Sequence, residues 1–204
     1  IVVEGNLGVV GALRAYGSEA QKRRYFPWVV QDGEKPAIAI TEVEAGSAAT
    51  DLATHADEAP EGWRLTGHKR YITGAGTSRL YLVYTRFGGR PGAGGVGGIF
   101  VERDMPGFRL GHRELMMGLR GIPEGELHFD GCTVPKENVL VGPGDGFKKL
   151  MAAYNGQRLG RAFGTAAEWI ALGVDLVRPL SDNTSFAAGA CLGIPALTAI
   201  QAVR

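Results

Sequence analysis

The sequence has few cysteines, no long apolar run and no excess of charge of one sign. Its two cysteines, Cys132 and Cys191, do not form a CxxC pair, so neither a disulfide framework nor a cysteine metal site is predicted. With 22 Lys plus Arg against 21 Asp plus Glu, the net charge is +1, which argues against electrostatic binding to nucleic acid or anionic membrane. No run reaches the ~18 apolar residues of a membrane span. A globular protein from a reducing compartment is expected.

Glycine is abundant, with 32 residues among 204. This is more than double the ~7% of average usage and indicates many tight turns between short strands. Hydrophobic residues make up 45% of the chain, which is enough to bury a core. The chain does not begin with Met, so we expect a fragment.

The opening of the chain is predicted to be helical. Ser18 followed by Gln21 has the spacing of a capping box, which predicts the start of a second short helix. Before it, the apolar residues at helical spacing are Val9, Val10, Leu13 and Tyr16.

From residue 37 to about 141 the pattern changes to short runs rich in β-branched and aromatic residues. The runs are "AIAIT", "WRLTG", "RYITGA", "LYLVYT", "GGIFVE" and "ELHFDG", each bounded by turn residues. They predict an all-β barrel or sandwich of about 100 residues. In the last run Leu127 and Phe129 alternate with polar residues, so we expect these two side chains to be buried.

After Gly146 the period returns to that of a helix, with apolar residues continuing to about Val177. The apolar positions are Phe147, Leu150, Met151 and Tyr154. The predicted fold class is therefore α+β, with an all-β part flanked by helical segments.

Two glycine-rich segments could be mistaken for anion sites. Residues 88–98, "GGRPGAGGVGG", lack the Lys-Ser/Thr of a P-loop, and we interpret them as a hairpin connection. Residues 142–149, "GPGDGFKK", favour a simple helix start, with anion binding by the helix N-terminus as the alternative.

Several segments together resemble the acyl-CoA dehydrogenase family. "TEVEAGSAATD" is similar to the family's "TEPxAGSD", and "GHKRYITGAG" to its "GxKxWITNA". The segment "GLRG", a strand, "VPKENVLVG" and "GDGFKKLM" follow in the family's order. Each segment alone is weak, but their order and spacing make the resemblance strong.

The resemblance implies a middle β-barrel between two helical domains, with FAD bound among them. Residues 1–35 then end the N-terminal helical domain, 36–143 form the middle domain, and 144–204 begin an incomplete or divergent C-terminal bundle. A dimeric or tetrameric homo-oligomer is also implied.

The resemblance further implies a flavin site along two segments. The Thr41 hydroxyl matches a family hydroxyl that forms a hydrogen bond with the flavin ring, and Tyr71 matches an aromatic residue beside the flavin. On spacing alone, Thr41 and Thr73 are ordinary strand residues and Tyr71 is a core aromatic. The implied flavin-binding residues are Ile38, Ile40, Thr41, Gly46, Ser47, Tyr71, Ile72 and Thr73.

Substrate contacts are implied at Ser47, Asn155 and Arg158, and a solvated helix face is the alternative for Asn155. Dehydrogenation needs a base for the α proton, which in most of the family is a Glu in the distal bundle, expected here beyond residue 204. A minority carry it one residue before Arg158, where this chain has Gln157, which cannot accept the proton. The sequence offers no catalytic base.

The function implied is FAD-dependent formation of the α,β double bond of an acyl-CoA, within fatty acid metabolism, with electron-transfer flavoprotein as the electron acceptor. The alternatives are a related acyl-CoA oxidase or enoyl-CoA reductase, and a catalytically incomplete β-barrel module for binding or assembly. A cytoplasmic location is preferred over the mitochondrial matrix. No metal site, nucleic-acid partner or membrane span is predicted.

Overall fold

The computed structural model describes residues 2–118 and 121–159, and within helices it describes side chains only for residues 8–155. Three helices enclose the β region in sequence: α1 (Val2–Tyr16), α2 (Glu19–Val30) and α3 (Gly146–Leu159). The predicted helix start at Gly146 is confirmed. Residues 160–177 of the expected long helix lie outside the described residues.

The predicted capping box at the start of α2 is confirmed. Ser18 Oγ accepts a hydrogen bond from the Gln21 N–H at 3.1 Å, and Gln21 Oε1 accepts one from the Ser18 N–H at 3.0 Å. Gln21 also fixes the helix to the sheet, because its Nε2 donates to the carbonyl oxygens of Glu137 and Val139 at 2.8 and 3.0 Å. The local signal that begins α2 therefore also positions it.

Eight strands form one sheet with the hydrogen-bonded order β6-β7-β3-β2-β4-β5-β8, and β1 pairs in parallel with β4. The strands are β1 (Ala37–Ala39), β2 (His55–Ala59), β3 (Gly62–Thr73), β4 (Leu80–Phe87), β5 (Val96–Glu102), β6 (Phe108–Arg113), β7 (Glu124–Val134) and β8 (Val139–Val141). The predicted class, a β region flanked by helices, is confirmed.

Some strand boundaries differ from the sequence prediction. The runs "WRLTG" and "RYITGA" form the single strand β3, and β1 ends at Ala39, so Ile40 and Thr41 lie beyond it. Strands β2, β6 and β8 were not predicted. Most side chains of β2 and β6 are polar or exposed, and β8 has only three residues, so none of them carries a clear alternation.

Buried apolar residues form two clusters on opposite faces of β4. Leu80, Leu82 and Tyr84 pack with residues of the three helices, whereas Tyr81 and Val83 pack in a cluster made of strand residues alone. Because both faces are covered, β4 is apolar almost throughout instead of alternating. The two clusters place β4 at the centre of the fold.

Residues 88–95 of the glycine-rich segment connect β4 to β5, and residues 96–98 already belong to β5. The two strands pair antiparallel, so the predicted hairpin connection is confirmed. Gly88, Gly89 and Gly92 have φ of 56°, 67° and 63°, a region that favours glycine. Within the described part of the chain, none of the helices has both the length and the apolar character that crossing a membrane requires.

The predicted burial of β7 is confirmed, with Leu127 0% and Phe129 1% exposed. We expect Phe129→Ala to lower the free energy of unfolding by ~3–5 kcal/mol, since it leaves a cavity in the strand-only cluster. Asp130→Ala is the matched control, because that side chain is exposed and forms only an exposed ion pair with Arg109 at 3.5 Å. Urea denaturation measures both, and equal midpoints for Phe129→Ala and the wild type would contradict the assigned strand register.

Candidate functional site

The chain leaving β1 runs beside the second half of β3. Lys69 Nζ donates a hydrogen bond to the Ile40 carbonyl oxygen at 2.9 Å, and the Arg70 N–H donates to the Thr41 carbonyl oxygen at 2.9 Å. These bonds bring Thr41 next to Tyr71 although thirty positions separate them in sequence. The two segments that the resemblance linked to a flavin are therefore adjacent.

A buried ion pair holds these segments together. Lys69 Nζ lies 2.7 Å from Glu42 Oε1, and the two side chains are only 0% and 7% exposed. The Glu42 carboxylate also accepts hydrogen bonds from the backbone N–H groups of Ala53 and Thr54, at 2.6 and 3.0 Å. The Glu42 side chain therefore binds Lys69 of β3 and, at the same time, the backbone at residues 53 and 54, so it holds both ends of the segment 42–54 at this strand.

The two partners respond to burial in different ways. Burial lowers the pKa of Lys69 to about 8, and the charge of Glu42 acts against that shift. For Glu42, burial raises the pKa, but the ion pair with Lys69 and the hydrogen bonds that the carboxylate accepts together hold its pKa below the ordinary value. The carboxylate of Glu42 is therefore ionised at neutral pH.

Tyr71 occupies an irregular position in β3. The pairing of β3 with β7 is interrupted between Lys69 and Ile72, and Tyr71 has φ of 56°, the only described non-glycine residue with positive φ. Its side chain is 52% exposed, with the Arg70 guanidinium 4.9 Å from the ring centroid. A non-glycine residue held in this region is strained and marks a candidate functional position. The alternative interpretation of Tyr71 as a core aromatic is wrong.

The residues after Tyr71 have different environments. The side chain of Ile72 is 2% exposed and lies in the strand-only cluster, so only its backbone can meet a ligand. The Thr73 hydroxyl is exposed and donates a hydrogen bond to Glu124 Oε1 at 2.6 Å. A flavin at this position would have to share or replace that bond.

The loop after Glu42 is open at its small residues. Glu42 and Ala45 exchange backbone hydrogen bonds at 3.2 and 3.3 Å, which close a tight turn. Gly46 and Ser47 follow this turn and are exposed, and a Cβ placed on Gly46 would meet no atom within 4 Å. A flat ligand can therefore approach this backbone without a steric barrier.

The remaining predicted residues lie near the helices. Ile38 and Ile40 are half-buried and share a cluster with Phe147 and Met151 of α3. Asn155, further along α3, is exposed. Gln157 and Arg158 lie in the last turn of α3, and their side chains are outside the described residues.

Sequence reasoning missed Glu42 and Lys69 as residues that shape the site. A signal was present for Lys69, because alternation from Leu65 through Gly67 places it on the inward face of β3, where a charged residue needs a partner. Nothing local identified that partner, which lies 27 residues earlier in the chain.

Residues 37–132 match the family model described as "Acyl-CoA dehydrogenase, middle domain". The matched range includes Tyr71 and both partners of the buried ion pair, Glu42 and Lys69. The chain belongs to the acyl-CoA dehydrogenase family.

Comparison with individual proteins and solved structures supports this membership. A 3-sulfinopropanoyl-CoA desulfinase of Paraburkholderia xenovorans is 44% identical over 177 residues, which cover 85% of this chain and 45% of the relative. The butyryl-CoA dehydrogenase structure from Megasphaera elsdenii superimposes with a TM-score of 0.74 at 31% identity, covering 78% of this chain and 42% of that one.

An acyl-CoA dehydrogenase complexed with FAD from Bacillus anthracis is also similar, with a TM-score of 0.68, 28% identity and coverage of 73% of this chain and 25% of that one. The chain spans less than half the length of each of these family members.

The buried ion pair makes a testable prediction. Glu42→Gln should lower the free energy of unfolding by ~3–5 kcal/mol, because it leaves the Lys69 ammonium buried without a counter-charge. Adding Lys69→Met to Glu42→Gln should restore part of this loss, since no unpaired charge then remains. Urea denaturation of the two single variants and the double variant measures the coupling, and strictly additive losses would contradict it.

The pH dependence of the same variants tests the charge directly. Because the folded pKa of Glu42 lies below its ordinary value of 4.5, its stabilisation is complete above that pH and is lost as the pH falls through the folded pKa. The wild type should therefore lose more stability on acidification than Glu42→Gln. Parallel acid profiles for the two proteins would show that Glu42 is not the group responsible.

Proposed function

We propose that the protein containing this chain binds FAD and oxidises an acyl-CoA thioester at its α and β carbons. The observation that carries the proposal is the conformation of Tyr71 in a chain of this family. Its backbone is strained and its side chain is exposed, and the buried pair of Glu42 and Lys69 holds it beside Thr41. Family membership alone supplies the fold, and the exposed strained aromatic supplies the reason to place a ligand there.

The residues present fit a flavin. An isoalloxazine ring is flat and edged with N–H and C=O groups, which suits the exposed Tyr71 ring, the hydroxyls of Thr41, Ser47 and Thr73, and the open backbone at Gly46. Ile38 and Ile40 offer apolar surface, and Ile72 offers only its backbone. The FAD complex of the Bacillus anthracis family member supports the same cofactor.

When bound, FAD supplies the hydride acceptor for the β hydrogen. The contribution of this chain is to hold the ring edge through Thr41 and Thr73 and the thioester through Ser47, Asn155 and Arg158. The α proton requires a base in hydrogen-bond reach, and Gln157 at the matched position of α3 is an amide that cannot take it. We place that base outside residues 1–204.

Desulfination of a sulfinated acyl-CoA is the second candidate. It is favoured by the 44% identity to the Paraburkholderia xenovorans desulfinase. Hydrolytic desulfination breaks a carbon–sulfur bond and forms a carbon–hydrogen bond, with water supplying the proton to carbon and the hydroxide that leaves with the sulfur as sulfite. It removes no α proton and no β hydride. The lack of a carboxylate at Gln157 is therefore no obstacle to this reaction.

The proposal extends to domains and partners. We propose that residues 1–35, 36–143 and 144–204 belong to the N-terminal helical, middle and C-terminal helical domains. Electron-transfer flavoprotein is the proposed electron acceptor and a homo-oligomer the proposed assembly. A cytoplasmic location is in keeping with a sequence of two cysteines for which no disulfide framework is predicted.

Two assays separate the candidate reactions. The full-length protein that contains this chain is reconstituted with FAD and mixed anaerobically with butyryl-CoA or with 3-sulfinopropanoyl-CoA, while the flavin absorbance and released sulfite are recorded. Bleaching by butyryl-CoA supports dehydrogenation, and sulfite release without bleaching supports desulfination. A full-length protein that remains colourless after reconstitution would contradict both reactions and favour a module for binding or assembly.

The flavin contact predicts the effect of removing two hydroxyls. The double variant Thr41→Val, Thr73→Val should weaken FAD binding by roughly ten- to thirty-fold, since each hydroxyl contributes ~1 kcal/mol as a net hydrogen bond. Thr66→Val is the matched control, because Thr66 is an exposed threonine of the same strand. Fluorescence titration with FAD measures the affinities, and an unchanged value in the double variant would reject the assignment.

Because Gln157 cannot act as a base, a carboxylate introduced at this position should allow flavin reduction by an acyl-CoA. Gln157→Glu should place a carboxylate where a minority of the family carries its base, so that butyryl-CoA bleaches the bound flavin anaerobically. Gln157→Asn is the control, because it changes the same side chain without introducing a carboxylate. If the unmodified chain already reduces its flavin at ~1–10³ per second, the proposal that the base lies elsewhere is wrong.

A further inference from the structure

Two histidines and a glutamate converge on the outward side of the β3–β7 pair. His68 of β3 and His128 of β7 are directly opposite partners in the antiparallel register. Glu126 precedes His128 by two residues and therefore lies on the same face of β7. The two imidazole rings stack with centroids 4.1 Å apart and an interplanar angle of 13°.

The two distances from Glu126 to the histidines match those between ligands of one metal ion. Glu126 Oε2 lies 3.5 Å from His68 Nε2 and 3.4 Å from His128 Nε2. One ligand atom from each of the three residues falls within 4.8 Å of the others. Two ligand atoms placed ~2.1 Å from a tetrahedral zinc ion lie ~3.4 Å apart, so the carboxylate already has the spacing that coordination requires.

The Nε2 atom of His68 on β3 has no hydrogen bond within the described part of the chain, although Glu126 Oε2 lies 3.5 Å away. This nitrogen is also shielded from solvent. An imidazole nitrogen that is shielded from water lowers the stability of the fold unless it forms a hydrogen bond or binds a metal ion. A metal ion between the three groups would satisfy this nitrogen.

Neighbouring residues orient the Glu126 carboxylate and leave room for the His128 ring. The His112 N–H donates to Glu126 Oε2 at 3.2 Å and orients the carboxylate. Gly111 leaves room for the second ring, because a Cβ at that position would collide with His128 Nε2.

The neighbouring charges leave space for a cation. Arg70 lies 3.6 Å from Glu126 Oε1, but its Nε donates to Glu114 Oε1 at 2.7 Å, so its charge is offset by the second carboxylate. With neutral imidazoles, Arg70, Glu114 and Glu126 together carry one net negative charge. A divalent ion is therefore not opposed by uncompensated positive charge from these groups.

We propose that His68, Glu126 and His128 form a site for a divalent transition metal of the zinc class. Two imidazole nitrogens and one carboxylate oxygen are a donor set that zinc accepts, and solvent completes the coordination because all three side chains are partly exposed. Coordination tilts the two rings apart so that their Nε2 lone pairs converge. The bound ion joins β3 to β7 at the strand that carries Tyr71.

The test uses the chain without an affinity tag, freed of metal by chelation. Zn²⁺ is added and followed by calorimetry and thermal melting, and Co²⁺ is added separately because its visible absorption reports histidine coordination. The variants are His68→Gln and His128→Gln. His55→Gln is the matched control, since His55 is another strand histidine beside a carboxylate, with its Nε2 3.6 Å from Asp57.

We expect one Zn²⁺ per chain, a rise in melting temperature with Zn²⁺, and affinity at least about tenfold weaker in each site variant, since losing a ligand costs more than losing an outer-shell partner. His55→Gln should bind as the wild type does. Wild-type affinity in His68→Gln, or no Zn²⁺ binding by the wild type, would overturn the proposal. His68→Gln decides the outcome if His128→Gln unfolds, because His68 Nε2 makes no hydrogen bond to lose.

Discussion

The buried pair of Glu42 and Lys69 is the contact on which the arrangement of the candidate site depends. A single carboxylate binds the Lys69 ammonium and the backbone N–H groups of Ala53 and Thr54, while the ammonium also binds the Ile40 carbonyl oxygen. Each charge is satisfied only while the other is present, because an isolated charge at this depth is strongly unfavourable. The position of Thr41 beside Tyr71 is therefore a consequence of electrostatics in the core.

The side chains of residues 68–72 on β3 lie in three different environments. Lys69 points into the core, while His68 and Arg70 lie on the outer face with partners on β7 and at Glu114. The interruption of pairing after Lys69 then leaves Tyr71 exposed and returns Ile72 to the core. One strand can supply both a candidate cofactor edge and a candidate metal site because alternation and a bulge separate their side chains.

The sequence predicted much of the fold but less of the site. The capping box at Ser18, the glycine-rich hairpin, the burial of Phe129 and the helix start at Gly146 all depend on neighbours within a few residues, and each is confirmed. The flavin contacts stay predictions. The engagement of Thr73 by Glu124 and the burial of Ile72 were not foreseen, since both depend on how β3 pairs with β7.

The sequence by itself determined the helical segments, five of the eight strands and the family, because periodicity, turn residues and motif order are local properties of the chain. Only the tertiary structure decided which charged groups are buried together and which histidines meet. Glu42 and Lys69 are 27 positions apart and His68 and His128 are 60, and no local pattern links them. Their meeting follows from strand register, in which a shift of one residue would move each side chain to the opposite face.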